Sequence, residues 1–257
     1  MTRKTSKIEA LRKLKNYLIF LSDHGYREIP LESDLGILTS SSVNHKHNLG
    51  IESRGRPSRS ESQTLSMNLK MVMEELGDCQ RCKLCESRTS IVFGSGNPSA
   101  ELVFVGEAPG ADEDAQGLPF IGKAGKKLTE IIEKGMNLKR EKDTYICNII
   151  KCRPPGNRDP EKDEISACQP FLAKQLQAIK PKVIVALGKP SASTLLGRKV
   201  AITKERGKWF EYEGIPLMLT YHPAYLLRAY TLENRQAVFE DMQKVLEFLK
   251  RGAITKK

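Results

Sequence analysis

The sequence predicts an α/β fold, a parallel sheet covered on both faces by helices, and three observations carry that reading. Four short apolar runs, residues 102–106, 145–150, 183–188 and 217–221, are rich in Val, Ile and Leu without alternating polar positions, as strands buried on both faces are. The segments between them space their apolar residues as helices do. Strands and helices alternate in chain order, which is the pattern of a parallel sheet with crossover helices.

Taken in order, residues 6–24 place Ile8, Leu11, Leu14, Leu18 and Leu21 at spacings of three and four, which predicts an amphipathic helix that stops at Gly25. An N-terminal helical extension is therefore expected over residues 1–38. Residues 39–66 change character: they are Ser-rich, lack a sustained apolar period and carry Gly55-Arg56-Pro57 in their middle. Such a composition buries too little apolar surface to offset ordering entropy, so a flexible linker is expected there. A domain is expected over residues 67–251, with helices at 123–136, 161–179 and 191–196. A closing helix over 231–250 is marked by Leu232, Val238, Met242, Val245, Leu246 and Leu249. Residues 252–257 form a short basic tail.

Composition narrows the class further. In 257 residues, 39% hydrophobic and 28% charged positions suit a globular domain with an ordinary core and disfavour disordered, collagen-like and membrane-spanning chains. The one apolar run near the start, residues 17–21, is too short for a signal core. A spanning helix needs about 20 apolar residues in succession. Six cysteines are too few for a disulfide-built scaffold, so the expectation is a reducing, cytoplasmic setting with thiols or metal ligands. The net charge of +11 favours a polyanionic partner. Twelve basic and seven acidic residues fall within 1–70, so the charge is distributed along the chain.

In open α/β sheets ligands bind outside the carboxyl ends of the strands. Four unusual segments fall at those ends. The first run leads into Gly106-Glu107-Ala108-Pro109-Gly110 followed by Asp112-Glu113-Asp114. Its Gly and Pro residues suit a loop that presents amides to a flat ligand, whereas an acidic turn capping a helix is the plainer reading. No Gly-Lys-Ser or Gly-Lys-Thr pair accompanies the loop, which argues against nucleoside triphosphate binding. The second run carries Asn148, the third ends at Gly188 and the fourth leads into His222-Pro223-Ala224-Tyr225. A lone His after a strand is more often structural. Beside an amide and a Gly/Pro loop, His222 becomes a candidate donor to an oxygen that gains charge. Phe120 offers a stacking face, although a lone Phe usually packs a core.

The cysteines fall into two groups. Cys79, Cys82 and Cys85 precede the sheet at three-residue spacing, and Cys152 and Cys168 flank the segment after the second run, while Cys147 lies within that run as a small buried hydrophobe. Four thiolates from the two groups would close a four-coordinate site, and zinc and a four-iron cluster would both accept it.

These segments resemble the family 4 uracil-DNA glycosylases, the iron-sulfur branch of the uracil-DNA glycosylase superfamily. The resemblance rests on Cys79-Gln80-Arg81-Cys82, Val92-Phe93-Gly94-Ser95-Gly96-Asn97-Pro98, Gly106 to Gly110, Glu113-Asp114, Pro119-Phe120-Ile121-Gly122, the stretch 148–158, and 222–228, all in family order. It implies a three-layer α/β/α sandwich with a central, mostly parallel four-stranded sheet. It also implies a structural 4Fe-4S cluster on Cys79, Cys82, Cys152 and Cys168, with the pair Cys82 and Cys85 as the alternative if the first two slip. Uracil would be bound by Gly106, Glu107, Ala108, Phe120, Asn148 and His222. The implied catalytic residues are His222, Asn148 and Glu113, the last either for water or for excluding a thymine methyl. Ala108 stands where better-known superfamily members have a water-orienting Asp.

The implied reaction is hydrolysis of the N-glycosidic bond of an extruded uracil, leaving an abasic site. Its partner is uracil-containing DNA, single- or double-stranded. Arg153, Arg158 and Arg228, with Lys151, are phosphate candidates. A monomer is expected, with no membrane partner and with the N-terminal extension open to a protein partner. The competing reading is an inactive iron-sulfur nucleic-acid-binding protein of the same fold. The joint presence of Asn148, Phe120 and His222 argues against it, because phosphate binding requires none of the three.

Overall fold

The computed structural model describes residues 59–254, with side chains over residues 68–251. The helix expected over residues 6–24 and most of the linker lie outside the described residues. The first described helix, α1 (Arg59–Leu76), begins upstream of the boundary drawn at Met67. Leu69, Val72 and Leu76 are buried at helical spacing, and the Ser-rich composition of residues 59–66 hides the start of the helix in the sequence.

Six strands form one sheet rather than the four expected. They are β1 (Ser95–Gly96), β2 (Leu102–Gly106), β3 (Thr144–Asn148), β4 (Val183–Leu187), β5 (Trp209–Tyr212) and β6 (Ile215–Thr220), in the order β1-β3-β2-β4-β6-β5. The four central strands run parallel and correspond to the four apolar runs. The two additional strands are antiparallel edges. β1 has only two residues, and β5 is largely exposed, so neither carries the apolar run that marked the others.

Every residue of β2, β3 and β4 is buried, which is why these strands do not alternate. Val103 and Val105 join Ile184, Ala186, Leu217 and Leu219 on one face, where α1 and α5 (Lys162–Ile179) pack with α6 (Gly188–Leu196). Leu102 and Phe104 join Val183, Val185 and Met218 on the other face, under α3 (Lys123–Glu130) and α9 (Leu232–Ile254). The result is an α/β/α sandwich.

Short helices fill the crossovers. After β2 come α2 (Ala111–Gln116) and α3, which continues as a π-turn over Ile131–Gly135, and then α4 (Arg140–Asp143). Later come α7 (Ile202–Glu205) and α8 (Pro223–Arg228). Their runs of four to six residues are too brief for apolar periodicity to reveal them. Among the described residues, no helix is long and apolar enough to cross a membrane.

Candidate active site

The parallel register brings the ends of β2 and β3 side by side, with Gly106 opposite Asn148. A Cβ on Gly106 would lie 2.3 Å from Asn148 Oδ1 and 2.4 Å from Phe120 Cζ, so the amide and the ring both pack over a position that only glycine leaves open. The Phe120 and His222 rings are 5.6 Å apart between centroids and inclined at 36°. A Cβ on Gly188 would lie 2.9 Å from His222 Cβ, and Gly188 has φ +88°. The amide, the aromatic ring and the imidazole thus meet at one end of the sheet, although they lie in separate parts of the chain.

Asn148 is buried, and its Oδ1 has no hydrogen-bond partner in the protein. Leaving such an acceptor unmatched costs about 1–3 kcal/mol, so Asn148 Oδ1 is suited to accept from an N–H donor. His222 caps α8, with its Nδ1 accepting from Ala224 N at 3.1 Å. The ring proton therefore sits on Nε2. Burial lowers its pKa to about 4, and the charge of Arg228 acts in the same direction, so the imidazole is a neutral N–H donor at neutral pH.

The loop after β2 is fixed by its own polar groups. The Glu113 carboxylate accepts from Gly110 N at 3.1 Å and from Ile121 N and Gly122 N at 2.9 Å each. Buried Asp114 accepts from Thr89 N and Ser90 N. Glu107 is half-buried and shares a hydrogen bond with Asp159; burial and that neighbouring carboxylate raise its pKa to about 7. Ala108 packs against the core face beside it.

The basic candidates separate. Lys151 is buried and its Nζ donates to Asn148 O at 2.7 Å, so it presents nothing to a phosphate. Arg158 holds the fully buried Glu164 carboxylate in a two-pronged pair, at 2.9 Å from Nη1 and 2.5 Å from Nη2. Arg153 donates to Asn157 Oδ1 at 2.7 Å. Arg228 is exposed at the end of α8, next to exposed Leu227.

Cys79, Cys82, Cys152 and Cys168 line one small cavity together with Arg81, Arg88 and Lys151, and Cys85 is not among its walls. Arg81 Nη1 donates to Cys79 Sγ at 3.3 Å and Arg88 Nη1 to Cys152 Sγ at 3.5 Å. Three cations around four sulfurs fit a group that carries thiolate charge. Among the described residues, no three His, Cys, Asp or Glu side chains are arranged to hold a single metal ion. Cys147 is buried within β3, apart from this cavity.

Several contributors escaped the sequence reading. Gly188 had a signal, a glycine at a strand end. Arg140 and Gly125, which hold the turn around Phe120, and Asp159, which faces Glu107, sit in polar or helical stretches with no pattern to mark them.

Comparison with known proteins places this geometry. The description "Uracil DNA glycosylase superfamily" matches residues 93–249. The type-4 uracil-DNA glycosylase of Saccharolobus solfataricus is 44% identical over 196 residues, covering 73% of this chain and 89% of the relative. That of Thermotoga maritima is 45% identical over 186 residues, covering 71% and 95%. That of Archaeoglobus fulgidus is 42% identical over 188 residues, covering 70% and 92%. Sheet, slot and relatives agree, and the chain belongs to the uracil DNA glycosylase superfamily, among its type-4 uracil-DNA glycosylases.

Proposed function

We propose that the protein is a DNA-repair glycosylase that extrudes uracil from DNA and hydrolyses its N-glycosidic bond, leaving an abasic site. The observation that carries this reading is the unpartnered Asn148 Oδ1, buried over Gly106 beside Phe120, whose ring in turn lies against that of His222. Uracil offers N3–H to that oxygen and O4 to the amide nitrogen. Cytosine offers a bare N3 and an amino group, so both contacts would be mismatched, at about 1–3 kcal/mol each.

Extrusion costs a few kcal/mol and is easiest where uracil is mismatched or unpaired. In the slot the base stacks on Phe120 and lies against the backbone of Gly106, Glu107 and Ala108. Breaking the bond leaves negative charge on the base and positive character on the sugar. His222 Nε2–H donates to O2 and stabilises the departing anion; because the ring is already neutral, it acts without giving up its proton. Water then adds to the sugar carbon, and the proton it sheds passes through solvent to the departing uracil anion, which leaves as neutral uracil. Glu113, with its carboxylate occupied by three backbone amides, holds the loop in place instead of activating that water. Excision therefore depends chiefly on stabilising the leaving group.

Cys79, Cys82, Cys152 and Cys168 would hold a 4Fe-4S cluster, which supplies a cross-link between the segment before the sheet, the loop after β3 and α5. Zinc is the less favoured occupant of the same four thiolates. Arg228 and Arg153 are assigned to DNA phosphates and Arg158 to its internal pair with Glu164. On this reading the protein acts as a monomer in the cytoplasm, and residues 1–38 are assigned to contact with a protein partner.

The test is mass analysis of the products from a uracil-containing strand. Free uracil and an intact abasic strand are expected, with Asn148→Ala and His222→Ala slowing release by on the order of a hundredfold or more. Release at wild-type rate by both variants would remove these residues from the mechanism. A nicked strand without alkali, or a denaturant-resistant adduct, would contradict simple hydrolysis.

A further inference from the structure

Phe120 holds a backbone conformation that a non-glycine residue rarely adopts, with φ +53°. Such a conformation persists only where the surroundings over-determine it. Here the surroundings can be named. Arg140, the first residue of α4, directs its guanidinium into the turn 119–122, and its side chain is only 11% exposed. Nη2 donates to Pro119 O at 2.7 Å, and Nη1 donates to Phe120 O and to Thr129 Oγ1 at 2.8 Å each. The two carbonyls belong to the two peptide planes that flank the Phe120 Cα. Holding both planes fixes φ and ψ of Phe120, and with them the direction in which its ring leaves the backbone.

Glu113 acts on the same turn from α2. Its carboxylate accepts from Ile121 N and Gly122 N, so the peptide between Phe120 and Ile121 is held by a cation at its carbonyl and an anion at its amide. Gly125 closes the arrangement, since a Cβ there would lie 1.9 Å from the Phe120 carbonyl carbon. The surface cavity that Arg140 borders is lined also by Phe120 and Ile121 of the turn, and by neither Asn148 nor His222. The contacts that join Arg140 to the slot thus run through the turn that carries Phe120.

We propose that Arg140 is a positioning residue of the glycosylase: with Glu113 it clamps the turn 119–122, sets the orientation of the Phe120 ring against the extruded base, and influences excision only through that ring. The proposal rests on Phe120 being the stacking face. The planar fork of arginine is required, because a lysine ammonium is a point charge that cannot hold carbonyls of two differently oriented peptide planes in fixed directions.

The test is a double-mutant cycle in the full-length protein with Arg140→Met, Phe120→Ala and the pair. Single-turnover uracil release from a single-stranded oligonucleotide, inhibition by free uracil and melting temperature would be measured. Arg140→Met should slow release by on the order of tenfold to a hundredfold and weaken inhibition by free uracil in parallel. In the Phe120→Ala background the same substitution should change the rate less than about twofold, because the group through which it acts is gone. Equal losses in both backgrounds, or no loss in either, would overturn the proposal. If Arg140→Met does not fold, Arg140→Lys decides: it should melt near the wild type and still release uracil more slowly, and a wild-type rate would overturn the proposal. A wild-type rate for Phe120→Ala alone would instead remove the stacking assignment, which separates failure of that reading from failure of the clamp.

Discussion

At His222, burial decides the protonation state before any substrate arrives. With a native pKa of about 4 against an ordinary value of 6.5, the ring is neutral in both folded and unfolded states above pH 6.5. Between pH 6.5 and 4 the unfolded chain takes up a proton that the native ring refuses, so stability falls as pH falls through that window. His222→Gln should therefore lose less melting temperature than the wild type between pH 7 and pH 4.5; parallel losses would show that the ring ionises normally. Glu107 behaves in the opposite sense. Its native pKa of about 7 lies above the ordinary 4.5, so its contribution is present below pH 4.5 and is lost as pH rises through 7. Glu107→Gln should raise the melting temperature more at pH 8 than at pH 5, and a gain independent of pH would remove Asp159 and burial as the cause. Asn148 and His222 stood out in the sequence because each is an unusual residue at the end of a buried run, whereas Phe120 was marked only by the segment it shares with the family resemblance. The commitment of Glu113 to backbone amides was not legible, since a carboxylate facing solvent and one facing three N–H groups look alike in a string of letters.

At the scale of elements, the strands that bury both faces announced themselves, and those that do not went unseen. β2, β3 and β4 are wholly buried, whereas β5 exposes Trp209 and Glu211. Close approaches between elements were equally silent. The entry into α3 passes so near the Phe120 turn that only glycine fits at 125. Gly125→Ala should cost about 1–3 kcal/mol in stability by overpacking against backbone and lower excision by at least about tenfold. Gly156 makes the comparison sharp. Unlike Gly125 it has a positive φ, +64°, but a Cβ there would meet nothing within 4 Å. Gly156→Ala should show only the backbone penalty of about 1–2 kcal/mol, without loss of the excision rate in the folded protein. Chemical denaturation and single-turnover rates for the two variants check both expectations, and equal effects would show that the 125 contact is unimportant.

For the whole molecule, the sequence offered two groups of cysteines that could close one site, and the cavity in the structure is lined by Cys79, Cys82, Cys152 and Cys168 and not by Cys85. Spacing alone did not choose among the cysteines, because Cys79, Cys82 and Cys85 are separated equally. A group bound only by the native fold stabilises it. Iron chelation or Cys168→Ser should therefore lower the melting temperature, with iron and sulfide content falling in step, whereas Cys85→Ser should leave both unchanged. Retention of iron by the first or its loss from the second would reassign the ligands. The larger dependence is on the slot itself, where two side chains from strand ends, Asn148 and His222, and one from the turn before α3, Phe120, must receive one base. A crystal structure of the protein with uracil tests this most directly. The ring is expected against Phe120, with N3–H on Asn148 Oδ1 and O2 on His222 Nε2; uracil bound elsewhere, or bound with Asn148 Oδ1 still lacking a donor, would contradict the account.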